Sequence, residues 1–216
     1  MTVTRHVVGL AALALTLLSG AAVAQGVTLP DFERVELDNG TVLLLSEKAE
    51  VPLVSVTAIL RGGAVVDPDG RSGLANLLAA LLEKGAGDRD AAAFAETVDA
   101  SGGLLTSRAD LETITVSGNF LARDASLMVE LLADMLLRPQ LGEAEFEKLR
   151  ERSINFIRAA KDTNLNAVLP IYGQAFLVGA HPYGNPVSGS ETTLAAISHD
   201  DDLEYYEQQL AGDRLI

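Results

Sequence analysis

Residues 32–45 read FERVELDNGTVLLL, and this stretch decides the class of fold. Phe32–Leu37 alternates apolar and polar residues, Asp38-Asn39-Gly40 is typical of a tight turn, and Thr41–Leu45 is predicted to return as a second strand. Leu53–Leu60, rich in β-branched residues, predicts a third strand soon afterwards. The folded part of the chain is therefore predicted to open as an antiparallel meander.

Helices dominate the sequence that follows. Strands are predicted only at Leu104–Arg108 and Glu112–Ser117. The predicted helices are Gly73–Lys84, the segment from Asp90 through Ala100, Leu121–Leu137, Glu143–Ala160, Asn164–Leu177 and the segment from Ser198 to about Leu210. This order predicts an α+β fold with two layers, in which helices cover one face of a mainly antiparallel sheet.

The first 24 residues have the pattern of a cleavable signal peptide. Arg5-His6 gives a short basic start, Val7–Leu18 is apolar, and Ala22-Val23-Ala24 supplies small residues before a cut after Ala24. The apolar run is shorter than the roughly 20 residues that a bilayer span needs. We therefore expect a periplasmic or secreted protein, with a mature chain of residues 25–216 that contains no membrane span.

Composition narrows the possible partners. The chain has no cysteine, so disulfides cannot hold it together and its hydrophobic core must do so. Its formal net charge is -14, and nucleic acids and anionic membranes attract basic surfaces instead. We therefore expect no nucleic-acid partner.

A series of short motifs, in a fixed order, resembles one known family. After the hairpin come DPDGRSGLA at residues 67–75, GAG at 85–87, HPYG at 181–184 and SGS at 188–190. Together they resemble the M16 (pitrilysin/insulinase-type) metallopeptidases. The resemblance implies that residues 25–216 form an M16-type N-terminal domain. We expect this domain to be incomplete, because residues 214–216 look like the start of a strand.

Active members of that family carry an inverted zinc motif, His-x-x-Glu-His, directly after the Gly-Leu-Ala string. Two histidines one helical turn apart can share a zinc ion, and the glutamate between them can activate a zinc-bound water. The resemblance places these three positions at Asn76, Ala79 and Ala80. It places the third ligand, a glutamate, at Phe156 and a supporting glutamate at Leu149. Every one of these residues is replaced, which predicts no zinc and no catalytic residue in this chain.

Other side chains offer little to rebuild a site. The mature chain keeps only His181 and His199, and neither has a second histidine or cysteine at ligand spacing. Asp200–Asp202 is better explained as capping of the last helix than as a cation site. No Gly-x-Ser-x-Gly nucleophile motif is present either.

The resemblance also implies partners. Two-subunit bacterial members of the family pair a zinc-bearing chain with a degenerate one, and peptide substrates add a strand to a sheet edge. The candidate peptide-binding residues here are Gly103, Leu104, Leu105 and Thr106, although an ordinary edge strand after a helix-ending glycine pair explains them equally well.

These inferences favour a non-catalytic M16-type homologue, an accessory subunit of an extracytoplasmic zinc metallopeptidase that degrades or processes peptides. Zinc is then expected only in the catalytic partner. Two alternatives stay open: an active zinc metalloendopeptidase with relocated ligands, and a free-standing periplasmic peptide-binding module.

Overall fold

The structure, a computed structural model, describes residues 30–48, 50–163, 165–179 and 181–209. The strands within these ranges all pair antiparallel. They are β1 (Glu33–Glu36), β2 (Val42–Leu45), β3 (Leu53–Arg61), β4 (Gly85–Ala86), β5 (Arg89–Asp90), β6 (Leu104–Ala109) and β7 (Thr113–Leu121).

The α-helices in the described ranges are α1 (Leu74–Leu82), α2 (Ala91–Ala100), α3 (Ala125–Leu137), α4 (Glu143–Thr163), α5 (Leu165–Val178), α6 (Glu191–Ala196) and α7 (His199–Gln209). Short 3-10 helices occur at Gly63–Val66, Ala122–Asp124 and Pro182–Gly184.

The predicted opening hairpin is confirmed. β1 pairs with β2 in a register that sets Glu33 opposite Leu45. Its turn uses Gly40 at a φ of 84°, a conformation that glycine adopts without strain. The side chain of Asn39 accepts a hydrogen bond of 3.1 Å from the backbone N–H of Thr41. Turn chemistry and strand alternation therefore specify this hairpin locally.

The main sheet has the order β3-β7-β6, and helices pack on one of its faces. Strand alternation turns Leu60, Ile114, Val116 and Phe120 into the core, where each is at most 2% exposed. Seven of the nine residues of α1 are buried, as its continuous apolar sequence predicts, because the helix packs against β6 and β7 and also against α4 and α7. The predicted α+β class, with helices layered on an antiparallel sheet, is confirmed.

Some predicted boundaries were wrong. The helix predicted from Leu121 begins at Ala125, because β7 continues to Leu121 in its pairing with β3 and a 3-10 turn follows. Helix α6 was missed, although the side chains of Ser190 and Thr193 form a capping box at its start. The β4–β5 pair was also missed, because two-residue strands carry no periodic signal.

Two expectations lie outside the described residues: the signal peptide at residues 1–24 and the strand start at 214–216. Within the described ranges, no helix combines the length and the apolar character needed to cross a bilayer.

Candidate functional site

A buried carboxylate fixes the start of α1. Asp67 accepts hydrogen bonds from the backbone N–H of Gly73 at 2.8 Å and of Ala75 at 3.0 Å. Burial raises the pKa of Asp67 to about 6, although these backbone hydrogen bonds oppose the rise. The string DPDGRSGLA therefore carries a capping carboxylate and the helix that it caps.

The glycine in that string is required by close packing. Gly73 has a φ of 103°, and a Cβ there would lie 2.8 Å from Cδ2 of Leu194 and 3.0 Å from the Cα of Gly189. The string at residues 67–75 and the SGS motif at 188–190 thus touch each other, which ties two distant pieces of the sequence resemblance together.

A cleft of about 390 Å³ lies between α1 and α4. It brings together four of the five positions that the family resemblance assigns to the metal site: Asn76 and Ala80 from α1, and Leu149 and Phe156 from α4. Leu149 and Phe156 are seven residues apart, two helical turns, and so share one face of α4. The full lining is Asn76, Ala80, Glu83, Lys84, Leu149, Arg152, Ser153, Phe156, Ile157 and Ser188.

Ala79 lies behind this cleft. Its side chain is 1% exposed and belongs to the hydrophobic core, so it does not line the cavity. Phe156, in contrast, is 68% exposed. The position that the family gives to a general base is therefore packed into the core of this chain.

The side chains in the cleft do not fit a zinc ion. Ala80, Leu149 and Phe156 have no lone pair to donate, and the amide oxygen of Asn76 is a weak zinc ligand. The cations of Lys84 and Arg152 line the same cavity and would repel a metal cation. Among the described residues, no group of three histidine, cysteine, aspartate or glutamate side chains could hold a metal.

Both histidines make contacts of their own. His181 Nδ1 accepts a hydrogen bond of 3.1 Å from the backbone N–H of Tyr183, and the two rings meet edge to face. His199 Nε2 donates to the carbonyl of Leu141 at 2.6 Å, and its ring packs beside Phe146. Neither histidine lines the cleft between α1 and α4.

The acidic run at the start of α7 divides into different roles. Asp201 accepts hydrogen bonds from the backbone N–H and hydroxyl of Ser198 and pairs with Arg71, as predicted for helix capping. Asp202 is 0% exposed, and neither carboxylate oxygen has a hydrogen-bond partner among the described residues. Burial raises the pKa of Asp202 to about 7. Capping explains Asp201 and leaves Asp202 unexplained.

The candidate peptide-binding residues lie at and before β6, which is one of the two edge strands of the main sheet as the structure describes it. Leu104 is 54% exposed and Thr106 is exposed, whereas Leu105 is buried in the core. Gly103 packs against the ring of Phe120, where a Cβ would come within 2.5 Å. The side chains of β6 therefore alternate between solvent and core, as expected for a strand with one face packed on a core.

Gly103 is expected to tolerate no side chain. Gly103→Ala should lower the free energy of unfolding by about 1–3 kcal/mol, because the methyl group overlaps the buried Phe120 ring. Urea denaturation measures the change. Gly173→Ala is the control, since none of the residues that the structure describes lies within 4 Å of a Cβ at that position in α5, and alanine favours a helix. Equal stability of the two variants would contradict this packing role.

Sequence reasoning missed one contact beside this edge. Glu83, the residue directly after α1, accepts a hydrogen bond of 2.6 Å from the backbone N–H of Ser107 in β6. Glu83 also lines the cleft between α1 and α4. No local pattern could have revealed the contact, because 24 residues separate its two partners.

Comparison with known proteins agrees with this architecture. The sequence model described as Insulinase (Peptidase family M16) matches residues 42–191. An uncharacterized zinc protease, YmxG of Bacillus subtilis, is 24% identical over 184 residues, covering 85% of this chain and 45% of that protein. Subunit 1 of the mitochondrial cytochrome b-c1 complex of Bos taurus is 24% identical over 189 residues, covering 88% and 39% respectively.

A solved structure is similar in fold. The peptidase M16 inactive domain from Pseudomonas fluorescens superimposes with a TM-score of 0.76 at 18% sequence identity, over 82% of this chain and 43% of that one. The chain thus spans less than half the length of each of these relatives. Because the family model matches residues 42–191, which is more than two thirds of the sequence, the chain belongs to the insulinase family, peptidase family M16.

Proposed function

We propose that this chain is a non-catalytic M16-type subunit that pairs with a zinc-bearing homologue outside the cytoplasm and assists the binding of peptides. One observation carries the proposal. The cleft that gathers the family's metal positions presents a methyl group at Ala80, a phenyl ring at Phe156 and an isobutyl group at Leu149. Since none of these can bind a metal, the cleft can contribute shape and peptide contacts but not hydrolysis.

The names of similar proteins support a subunit role. One is a subunit of the bovine cytochrome b-c1 complex, and another is subunit beta of the mitochondrial-processing peptidase of Rattus norvegicus. The structural relative from Pseudomonas fluorescens is described as an inactive domain. A family that contains both multi-chain assemblies and an inactive domain accommodates a degenerate chain that acts through a partner.

The sheet edge supports the peptide-binding part of the role. β6 has no strand on its outer side among the described residues, so an extended peptide can add there as a further strand, with the Ser107 N–H, which Glu83 binds, as the exception. This observation also favours the second candidate function, a free-standing peptide-binding module. The location outside the cytoplasm rests on the basic, apolar and small-residue pattern of residues 1–24.

Metal analysis and co-purification test the proposal. The purified chain should retain no stoichiometric zinc and should not hydrolyse a quenched fluorescent peptide, with or without a chelator. Affinity purification of the chain from its native source should recover a homologue with an intact His-x-x-Glu-His motif. Chelator-sensitive hydrolysis by the chain alone would contradict the proposal. Peptide binding without any partner would instead favour the free-standing module.

A further inference from the structure

The outer edge of β6 is already occupied at one position. The Oε1 atom of Glu83 accepts the backbone N–H of Ser107 at 2.6 Å, so this N–H is not donated to β7. Backbone groups alternate sides along an antiparallel strand, and therefore Leu105, Ser107 and Ala109 present their N–H and C=O groups to the outer side. A peptide adding to this edge would need the N–H that Glu83 holds.

The position of Glu83 connects the edge to the cleft. Glu83 follows the last residue of α1 and lines the cavity together with Asn76, Ala80 and Phe156. An extended chain along β6 would therefore pass the mouth of the cleft at the point where the glutamate side chain crosses to Ser107. Glu83 thus contacts the edge strand and also lines the cleft that holds the positions that the family uses for chemistry.

At this edge as the structure describes it, the side chain of Ser107 also lacks a hydrogen-bond partner. Its hydroxyl oxygen is buried and has no hydrogen-bond partner among the described residues. A buried hydroxyl without a partner costs free energy, which the strong hydrogen bond from the adjacent amide to a carboxylate offsets locally. Among the side chains that the structure describes, only that of Glu83 forms a hydrogen bond with Ser107.

We propose that Glu83 is a built-in competitor that closes the β6 edge to extended peptides until its carboxylate is displaced. This proposal rests on the proposed function, because it concerns the edge that function uses. A peptide carbonyl must replace a charged acceptor at Ser107, and charge-assisted hydrogen bonds are roughly twice as strong as neutral ones. The displaced carboxylate can form an ion pair with Lys84 or Arg152, since both line the same cleft.

The test measures peptide affinity in three variants of the full chain. A fluorescein-labelled, uncharged, extended peptide is titrated, and its anisotropy is followed. Glu83→Ala should bind the peptide about tenfold more tightly than the wild type, because the edge amide is released. Glu83→Gln should fall between them, since the amide oxygen still accepts from Ser107 without a charge. Glu96→Ala, an exposed position on α2, removes the same charge elsewhere and should match the wild type.

Hydrogen exchange at the Ser107 amide supplies an independent measurement. Exchange should be faster in Glu83→Ala than in the wild type, should stay slow in Glu83→Gln, and should slow again when peptide is added to Glu83→Ala. A misfolded variant would lose protection throughout the core and is recognised by that loss, in which case Glu83→Gln carries the comparison.

Equal peptide affinities of the wild type and Glu83→Ala, with the Ser107 amide released, would overturn the competitor role and leave the proposed function untouched. Absence of peptide binding in every variant would overturn this proposal and also the use of the β6 edge. The accessory role itself fails on a different result, which is chelator-sensitive hydrolysis by the wild-type chain.

Discussion

The triple variant Asn76→His, Ala80→His, Phe156→Glu is expected to bind zinc stoichiometrically, whereas the wild-type chain is expected to bind none. Asn76 and Ala80 lie one turn apart on α1 and face the same cleft as Phe156 on α4. Two imidazoles at i and i+4 with a carboxylate from a facing helix form a common three-ligand zinc site. The expectation follows because the cleft has kept the positions and lost only the donor atoms.

Zinc content after gel filtration is the primary measurement, and thermal unfolding is the second. Zinc at 100 times its dissociation constant should raise the free energy of unfolding by about 2.7 kcal/mol. The matched control is Asn76→His, Ala80→His, Asn155→Glu. Asn155 neighbours Phe156 on α4 but is not part of the cleft lining, so its carboxylate cannot complete the site.

The triple variant should bind zinc without hydrolysing peptides. Hydrolysis requires a general base beside the metal-bound water, and the corresponding Ala79 is packed into the core at 1% exposure. Zinc retained equally by the triple variant and its control would show that Phe156 does not face the two α1 positions. Stoichiometric zinc in the wild type would refute the argument from its donor atoms.

The order of strands and helices could be read from the sequence because each signal is local. The hairpin at Glu33–Leu45 has alternation and an Asn-Gly turn, and α2 has Asp90 at its start, where the side chain accepts from Ala93 N at 2.9 Å. The boundary near Leu121 could not be read, since pairing with Leu53 decides whether that residue extends a strand or begins a helix.

The candidate site was predictable only in part. That Asn76 and Phe156 meet in one cleft followed from the family resemblance, because no spacing rule relates residues 80 positions apart in different helices. Burial of Ala79 and the contact between Glu83 and Ser107 depend on how α1 packs against the sheet. Three consecutive aspartates looked alike in the sequence, and only the packing of α7 against α1 separates the buried Asp202 from its neighbours.

Asp202 should make the protein less stable as the pH rises. Its pKa is about 7 in the folded chain, raised by burial from an ordinary value of 3.8. Between these values the folded state keeps a proton that the unfolded state has released. The contribution of Asp202 is therefore fully present below about pH 4 and is lost as the pH rises to about 7. Roughly three pKa units correspond to about 4 kcal/mol.

Asp67 also makes the folded chain less stable as the pH rises. Its folded-state pKa of about 6 lies above the ordinary 3.8, so its contribution is lost between about pH 4 and pH 6. The backbone hydrogen bonds from Gly73 and Ala75 stabilise the ionised form of Asp67, whereas no described group forms a hydrogen bond with the carboxylate of Asp202. The decline between pH 6 and pH 7 therefore belongs to Asp202 more than to Asp67.

Asp202→Asn is expected to stabilise the chain at pH 8 by up to about 4 kcal/mol, because a neutral amide replaces a buried unpaired carboxylate. Below about pH 4 the two proteins should be about equally stable, because the wild-type carboxyl is then protonated. Urea denaturation at a series of pH values measures both. Asp200→Asn, at an exposed position on the same helix, should leave the wild-type pH dependence unchanged. If Asp202→Asn kept the full wild-type decline between about pH 6 and pH 7, the carboxylate would have to possess a partner in solution, and the buried charge would carry no cost.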